Sequence, residues 1–323
     1  MAKGRDDPPS VWVMHDGKAG MASQVLGLAE ALGWPFIEKR LVIRAPWRFL
    51  MPRLWLAPFA AIDPSGDALV PPWPAIVIAC GRTTIALGRA IKRASGGKSF
   101  WVQIQDPRVA RGEVDLVVAP AHDPAPGGNV FRTLGAVHRV TAVKLATAAA
   151  QFAPHFTSLP RPLVAVLIGG DNGVYRLTDR CFETLCDQLA ALTRQGFGLA
   201  VTPSRRTAPE RIALLRQKLD ATRTYIWDGT SDNPYFGMLG LADAVIVTAD
   251  SVSMVSEAAA TGKPVHVVEL EGGSKKFARF HQAMREAGIT RPFTGAIAEW
   301  RYTPPDDTAR AAAEIRRRLA KVA

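Results

Sequence analysis

Cysteine is scarce in this chain, and its three copies are scattered. Cys80, Cys181 and Cys186 form no CxxC pair and no Cys/His cluster. That spacing excludes zinc-ribbon and dithiol redox chemistry and leaves buried free thiols as the expected state, with no metal site. Long apolar runs are lacking too. None approaches the roughly 18 residues that a membrane-spanning helix needs. The opening residues Met1–Ser10 are polar and carry no apolar signal core, so the expected location is the cytoplasm. The chain also lacks zinc-finger spacing, an aromatic RNA-binding motif and a helix-turn-helix pattern, so no nucleic-acid partner is expected. Neither GxGxxG nor a Walker A loop occurs, and no DxD motif sits in a loop suited to sugar binding.

Acidic residues are outnumbered. The formal net charge of the 323 residues is +11, and the excess is concentrated early, with 18 basic against 11 acidic residues in 1–155 and 22 against 18 in the remainder. A basic surface of this kind suits a polyanionic ligand or an anionic membrane face.

Short apolar runs alternate with helical stretches. Val11–Met14, Ile76–Ala79, Phe100–Gln105 and Leu116–Val118 read as buried strands in the first half, and Leu163–Ile168, Leu199–Thr202, Thr224–Trp227 and Ala244–Val247 in the second. Met21–Leu32, the stretch from Arg82 through Arg93, Cys181–Thr193 and Glu210–Asp220 read as helices. Strand, polar loop and helix in alternation predict an α/β chain with two Rossmann-like, doubly wound parallel-sheet domains facing a cleft. A proline-bearing segment at Ala153–Pro162 predicts the hinge. The expected domains are 1–155 on the acceptor side and 156–305 on the nucleotide-sugar side, with a helix over 306–323 that packs back on the first domain.

In open α/β sheets, ligands sit beyond the carboxyl ends of the strands, and the notable polar loops all fall there. The most informative is Thr248–Glu257, with Thr248, Asp250, Ser251, Ser253, Met254 and Ser256 ahead of Glu257. A helix N-terminus with hydroxyl donors suits an anion, and a carboxylate one turn later suits the hydroxyls of a ribose. Gly169, Gly170, Asp171 and Asn172 form a turn whose backbone amides suit a diphosphate. Ser204, Arg205 and Arg206 follow the next strand, where arginine suits bidentate phosphate recognition. Asn233 and Tyr235 suit the base side of such a pocket. In the first half, His15 and Asp16 are alternative general bases, Gly17, Lys18 and Gly20 form a tight anion-facing turn, and Gly81, Arg82, Gln105, Asp106 and Arg108 form a second wall. His122, Asp123 and His138 are weaker candidates. Finally, Ala45–Phe59 interleaves bulky apolar residues with Arg48 and Arg53, just after Arg44, which suits peripheral contact with an anionic inner-membrane surface.

Taken together, the motifs DGKAGMASQVLGLAEAL (Asp16–Leu32), CGRTT (Cys80–Thr84), QIQDPR (Gln103–Arg108), LIGGDN (Leu167–Asn172), TPSRRT (Thr202–Thr207) and TADSVSMVSEAAATGKPV (Thr248–Val265) resemble the ELM-type mitochondrial-fission family, bacterial relatives included. The second half also resembles the nucleotide-binding half of GT-B glycosyltransferases, nearest to the family that adds N-acetylglucosamine in peptidoglycan precursor synthesis. That resemblance implies Glu257 on the ribose, Gly169 and Gly170 facing the diphosphate, and His15 or Asp16 at the base position. The first loop departs from that pattern by lacking a longer glycine run before a histidine. It implies a metal-independent glycosyltransferase with a nucleoside-diphosphate sugar as donor, no further cofactor, and a cell-envelope or lipid-linked acceptor. The alternatives are a nucleoside-diphosphate-sugar epimerase and a non-catalytic division or adaptor protein that keeps the fold.

Overall fold

The computed structural model describes residues 8–108, 111–123 and 125–321; the start of the polar N-terminal segment and the last two residues of the expected C-terminal helix lie outside them. Backbone contacts divide the chain into one unit of Met1–Arg139 with Asp306–Ala323 and a second of Val140–Pro305.

The first unit runs β1 (Val11–His15), α1 (Ala19–Leu32), β2 (Phe36–Arg40), three 3-10 turns between Trp47 and Ala61, β3 (Ile76–Cys80), α2 (Arg82–Ala94), β4 (Phe100–Ile104), a 3-10 turn at Arg111–Glu113, β5 (Leu116–Pro120) and β6 (Val130–Thr133). Among the described residues the strands form one six-stranded sheet in the order β2-β1-β3-β4-β5-β6, parallel throughout. A parallel sheet is covered on both faces, which is why its central strands are unbroken apolar runs. Side chains alternate between the faces. Val11 and Val13 join Val25, Leu28, Ile76 and Ile78 in one core, while Trp12 and Met14 join Val77, Leu87 and Trp101 in the other. The C-terminal helix Asp307–Leu319 supplies Ala311, Ala312 and Ile315 to the first of these cores and packs along α1. The carboxylate of Asp307 receives the backbone amides of Leu134 (2.8 Å) and Gly135 (3.0 Å).

The second unit runs α3 (Ala142–Phe152), β7 (Leu163–Ile168), β8 (Tyr175–Arg176), α4 (Asp179–Arg194), β9 (Gly198–Pro203), α5 (Pro209–Lys218), β10 (Thr224–Ile226), α6 (Tyr235–Leu241), β11 (Ala244–Thr248), α7 (Val252–Ala259), β12 (Val265–Val268), β13 (Glu271–Gly272), α8 (Lys275–Glu286) and β14 (Thr290–Pro292). Its main sheet is also six-stranded among the described residues, ordered β10-β9-β7-β11-β12-β14 and parallel throughout. β8 and β13 pair antiparallel beside it. In each sheet the strand order reverses once, between β1 and β3 and between β7 and β11. The carboxyl ends at such a reversal are where a doubly wound sheet opens a crevice.

The division between units falls after Arg139, not after residue 155. The reason is α3, which packs against α6. A Cβ on Gly237 would lie 2.6 Å from that of Phe152, and one on Gly240 would lie 2.6 Å from the Leu145 carbonyl oxygen. The polar segment after β10 runs to Pro234, and α6 starts at Tyr235. Cys80 and Cys186 are buried free thiols, but Cys181 on α4 is only partly buried.

A Cβ on Gly27 of α1 would sit 2.2 Å from the His138 carbonyl oxygen, so Gly27→Ala must push backbone from backbone; it is expected to cost about 2–3 kcal/mol in urea unfolding. Glu314, on the C-terminal helix, bonds Arg317 and Arg318 at 2.7 Å each, and these bonds, Arg317 first, hold its carboxyl down at about 2. A depressed carboxyl contributes fully above its ordinary value of 4.5 and loses that contribution as pH falls towards about 2. Glu314→Gln should therefore lower the thermal midpoint at neutral pH, by the equivalent of about 1 kcal/mol or less because its first partner Arg317 is 53% exposed, with the gap to wild type closing in acid.

Candidate functional site

In the second unit the reversal between β7 and β11 is closed by one buried carboxylate. Asp250, with a side chain that has no solvent exposure, meets the Arg206 guanidinium at 2.5 Å. It accepts the Thr248 hydroxyl at 2.6 Å and the Gly170 amide at 3.2 Å. Thr248 in turn accepts the Gly169 amide at 2.8 Å. Ser204 and Thr207 send their hydroxyls to the Gly169 carbonyl at 3.0 and 2.6 Å, and Asn172 donates its side-chain amide to the Asp250 carbonyl at 3.0 Å. The loops after β7, β9 and β11 are thus one network.

The glycines are required by this closeness. A Cβ on Gly169 would fall 2.2 Å from both carboxylate oxygens of Asp250, and one on Gly170 would fall 2.3 Å from the Arg206 carbonyl. Their amides are already donated within the protein, so they do not stand open to a diphosphate. Asp171 and Asn172 shape the turn: Asp171 accepts the Leu177 amide and Asn172 those of Val174 and Tyr175, each at 2.8 Å. Arg205 is exposed and pairs with no carboxylate among the described residues.

α7 begins at this network. Ser251 caps it, accepting the Met254 amide at 3.3 Å, and Ser256 bonds back to the Val252 carbonyl. The partly buried Ser253 and Met254 occupy the first turn. One turn on, the buried Glu257 accepts the Tyr235 hydroxyl at 2.7 Å. Burial first, and then the Glu257 charge, push the Tyr235 phenol well above its ordinary range, so Tyr235 remains a donor. Asn233 accepts the Tyr235 amide at 3.0 Å and shapes the start of α6.

In the first unit the loops after β1, β3 and β4 meet at Met21 on α1. Its sulfur lies 3.1 Å from Cys80 Sγ and 3.7 Å from Gln105 Nε2, and 3.7 Å from where a Gly81 Cβ would be. His15 is buried with both ring nitrogens engaged. Nδ1 accepts the Gly17 amide at 3.0 Å, so Nε2 carries the proton that reaches Glu38 at 2.8 Å. That leaves His15 no lone pair for general-base work. Asp16 pairs with Lys18 at 2.5 Å and is partly open to solvent. Gly17 turns at positive φ and Gly20 lies inside α1. Arg82 does not present its guanidinium to a phosphate. It donates to the carbonyls of Phe49 (3.2 Å) and Leu50 (2.7 Å), holding the 3-10 turns in place. Asp106 takes the Arg108 amide at 2.8 Å, and both Gln105 and Arg108 adopt positive φ. His122, Asp123 and His138 are buried.

The residues that sequence reasoning passed over are those that engage the candidates from a distance. Glu38 and Met21 are examples; neither has a local motif, and Glu38 lies on the edge strand β2, which ends beside His15. Among the described residues no helix is long and apolar enough to cross a membrane. Removing one partner of a buried, bonded charge leaves its donors unpaired. Asp250→Ala is expected to cost about 2–4 kcal/mol in chemical unfolding, below the fully buried case because Arg206 keeps contact with water.

The family described as Mitochondrial fission ELM1 matches residues 19–319. The mitochondrial fission protein ELM1 of Arabidopsis thaliana is 37% identical over 274 residues, covering 76% of this chain. The chain spans just under two thirds, 64%, of that relative's length. Among solved structures, the UDP-GlcNAc 2-epimerase of Methanocaldococcus jannaschii in complex with UDP-GlcNAc and UDP superposes with a TM-score of 0.55 at 11% identity, covering 97% of this chain and 99% of that one. The MnaA protein of S. aureus with UDP gives 0.53 at 12% identity, covering 95% and 87%. At such identity the likeness is one of fold, a GT-B-like pair of doubly wound units. The sequence match over nearly the whole length carries more: the chain belongs to the mitochondrial fission ELM1 family.

Proposed function

We propose that the chain is an enzyme that binds a nucleoside-diphosphate sugar on its second unit, and that its chemistry is on the sugar itself, as in an epimerase. The observation that carries the binding reading is the convergence at one sheet reversal of the α7 N-terminus, the exposed Arg205 and the buried Glu257. A helix N-terminus favours the diphosphate, with Ser253 and Arg205 as the side chains left to meet it. Glu257 receives the ribose hydroxyls in exchange for the Tyr235 hydroxyl, and Asn233 and Tyr235 flank the base. The leaning towards epimerisation is supported by the fold, which is shared with enzymes whose names state that chemistry. In the first unit Asp16 is the proposed base, since His15 has both nitrogens occupied. Arg82, engaged by the Phe49 and Leu50 carbonyls, takes no part in the proposed ligand contacts.

Transfer to a lipid-linked acceptor at an anionic membrane is a second reading, favoured by one observation. Phe49, Met51, Leu54 and Leu56 are 70, 53, 52 and 99% exposed in consecutive turns, beside Arg48 and Arg53. An apolar, basic strip of this kind suits an interface.

The two readings separate in one experiment. The protein is incubated with UDP-N-acetylglucosamine in D2O, with and without anionic vesicles bearing extracted envelope lipid. Epimerisation replaces a carbon-bound hydrogen and is expected to place deuterium on the sugar without lipid; labelled lipid with no deuterium on the sugar supports transfer instead. Absence of both, together with no UDP binding, would sink the enzyme reading. Glu257→Ala is expected to weaken UDP binding about tenfold or more in calorimetry while the far-UV spectrum is unchanged. Asp16→Asn should abolish turnover at saturating donor; a normal rate would remove Asp16 as the base.

A further inference from the structure

The three 3-10 turns of the first unit, Trp47–Phe49, Pro52–Leu54 and Pro58–Ala61, face two ways. Each opens on a proline, Pro46, Pro52 or Pro58, a residue that fixes φ and stiffens the chain. Inward, Trp55 and Ala61 are buried in the core around Trp12 and Met14, and Trp47 and Phe59 pack against it. The ends are pinned by an antiparallel bridge between Ile43 and Ile62 and by Arg44, whose Nε lies 2.7 Å from the Ala60 carbonyl. Arg82 braces the middle from the start of α2 through the Phe49 and Leu50 carbonyls. The segment is held at both ends and in between, so the side chains it turns outward are presented by a fixed backbone.

Outward stand Phe49, Met51, Leu54 and Leu56, all exposed. Scattered apolar residues on a surface need no explanation, but a run of them marks a contact. Leu56 is 99% exposed, so no wall stands beside it and the strip offers no groove to a peptide or a helix. Between Leu41 and Ile62 the sequence has three arginines and no acidic residue. Arg44 is engaged by the Ala60 carbonyl. Arg48 and Arg53 are exposed, and neither pairs with a carboxylate among the described residues. Arg48 lies over the Phe49 ring at 4.6 Å, which presents a charge and an apolar face together. A two-fold contact between copies of the chain would lay the strip on itself and set these cations against one another. A bilayer with anionic headgroups meets both demands: its interface takes the apolar tips, and its phosphates take the cations.

We propose that this strip docks the protein on an anionic bilayer, with Phe49, Met51, Leu54 and Leu56 entering the interface and Arg48 and Arg53 on the lipid phosphates. Docking rests on the strip that the transfer reading uses, but not on transfer: an enzyme that only modifies the sugar is held at the membrane by the same contacts. Arg82 directly follows Gly81 at the carboxyl end of β3. Its two bonds therefore tie the docking strip to the edge of the first sheet from which the candidate loops of that unit leave.

The test is co-sedimentation of the full chain with vesicles of phosphatidylcholine alone and of equimolar phosphatidylcholine and phosphatidylglycerol, neither carrying an envelope acceptor. Saturable binding is expected to the mixed vesicles, weakening as salt screens the charges, with far weaker binding to the neutral ones. Leu54→Ser and Leu56→Ser each take one apolar side chain out of the interface and are expected to lower the partition coefficient about tenfold. Arg48→Gln and Arg53→Gln are each expected to lower it about fivefold. All four positions are exposed, so the far-UV spectrum should stay that of wild type. The net charge is +11, and Arg216→Gln, at an exposed position on α5, controls for diffuse attraction; it is expected to leave binding nearly unchanged. No binding to the mixed vesicles would overturn the docking surface. So would binding that survives the leucine changes, or that falls as far with Arg216→Gln as with Arg48→Gln. A lipid-free dimer in sedimentation velocity that Leu56→Ser dissolves would assign the strip to a second copy instead. Because these vesicles hold no acceptor, their result stands apart from whether sugar is transferred.

Discussion

A carboxylate shut away from water carries the organisation of the second unit. Asp250 sits at the strand-order reversal and is bonded at once to a guanidinium, a hydroxyl and a backbone amide. An isolated charge in that position would be prohibitively unfavourable; with three donors it becomes a fastening. Because its donors come from the loops after β7, β9 and β11, the fastening sets the height at which each of these loops leaves the sheet. It also sets where α7 starts, and with it the position of Glu257. Both glycines after β7 are consequences of the same constraint, since the carboxylate and the Arg206 carbonyl occupy the space a side chain would need.

The first unit is arranged differently at the equivalent reversal. Its meeting point is a thioether, Met21, rather than a charge, and its polar groups are turned aside into local pairs: His15 to Glu38 and Gly17, Asp16 to Lys18, Arg82 to loop carbonyls. A soft, polarisable sulfur tolerates displacement of its neighbours, whereas the Asp250 network does not. The two units therefore differ in what gathers their loops, a buried charge in one and a thioether in the other.

Sequence made the central strands legible because a parallel sheet covered on both faces needs continuous apolar runs such as Leu163–Ile168. The edge strand β2, with Glu38, Lys39 and Arg40, escaped because half of it faces water and its pattern is that of a loop. The short helix α6 was hidden behind Asn233-Pro234, which signals a turn, and α3 was assigned to the wrong unit because nothing within Ala142–Phe152 says which partner it packs on. At the candidate site the residue types were legible and their engagements were not. Arg82 looks like a phosphate ligand until its acceptors, over thirty positions earlier in the chain, are seen. Gly169 and Gly170 are marked by composition, but the reason for them lies in Asp250, some eighty positions later. Side-chain partners at such separations leave no periodicity to read.

The helix Asp307–Leu319 has a consequence for how the chain is made. It completes the core of a unit whose other elements all precede residue 140, and it supplies Ala311, Ala312 and Ile315 to the layer against α1. During synthesis the first sheet therefore emerges from the ribosome with one face incompletely covered, and stays so until the whole second unit has been translated. Vectorial folding, in which the leading domain is finished before the next begins, is closed to this topology. The first unit must wait, with apolar surface on view, for a helix that follows the whole second unit in sequence.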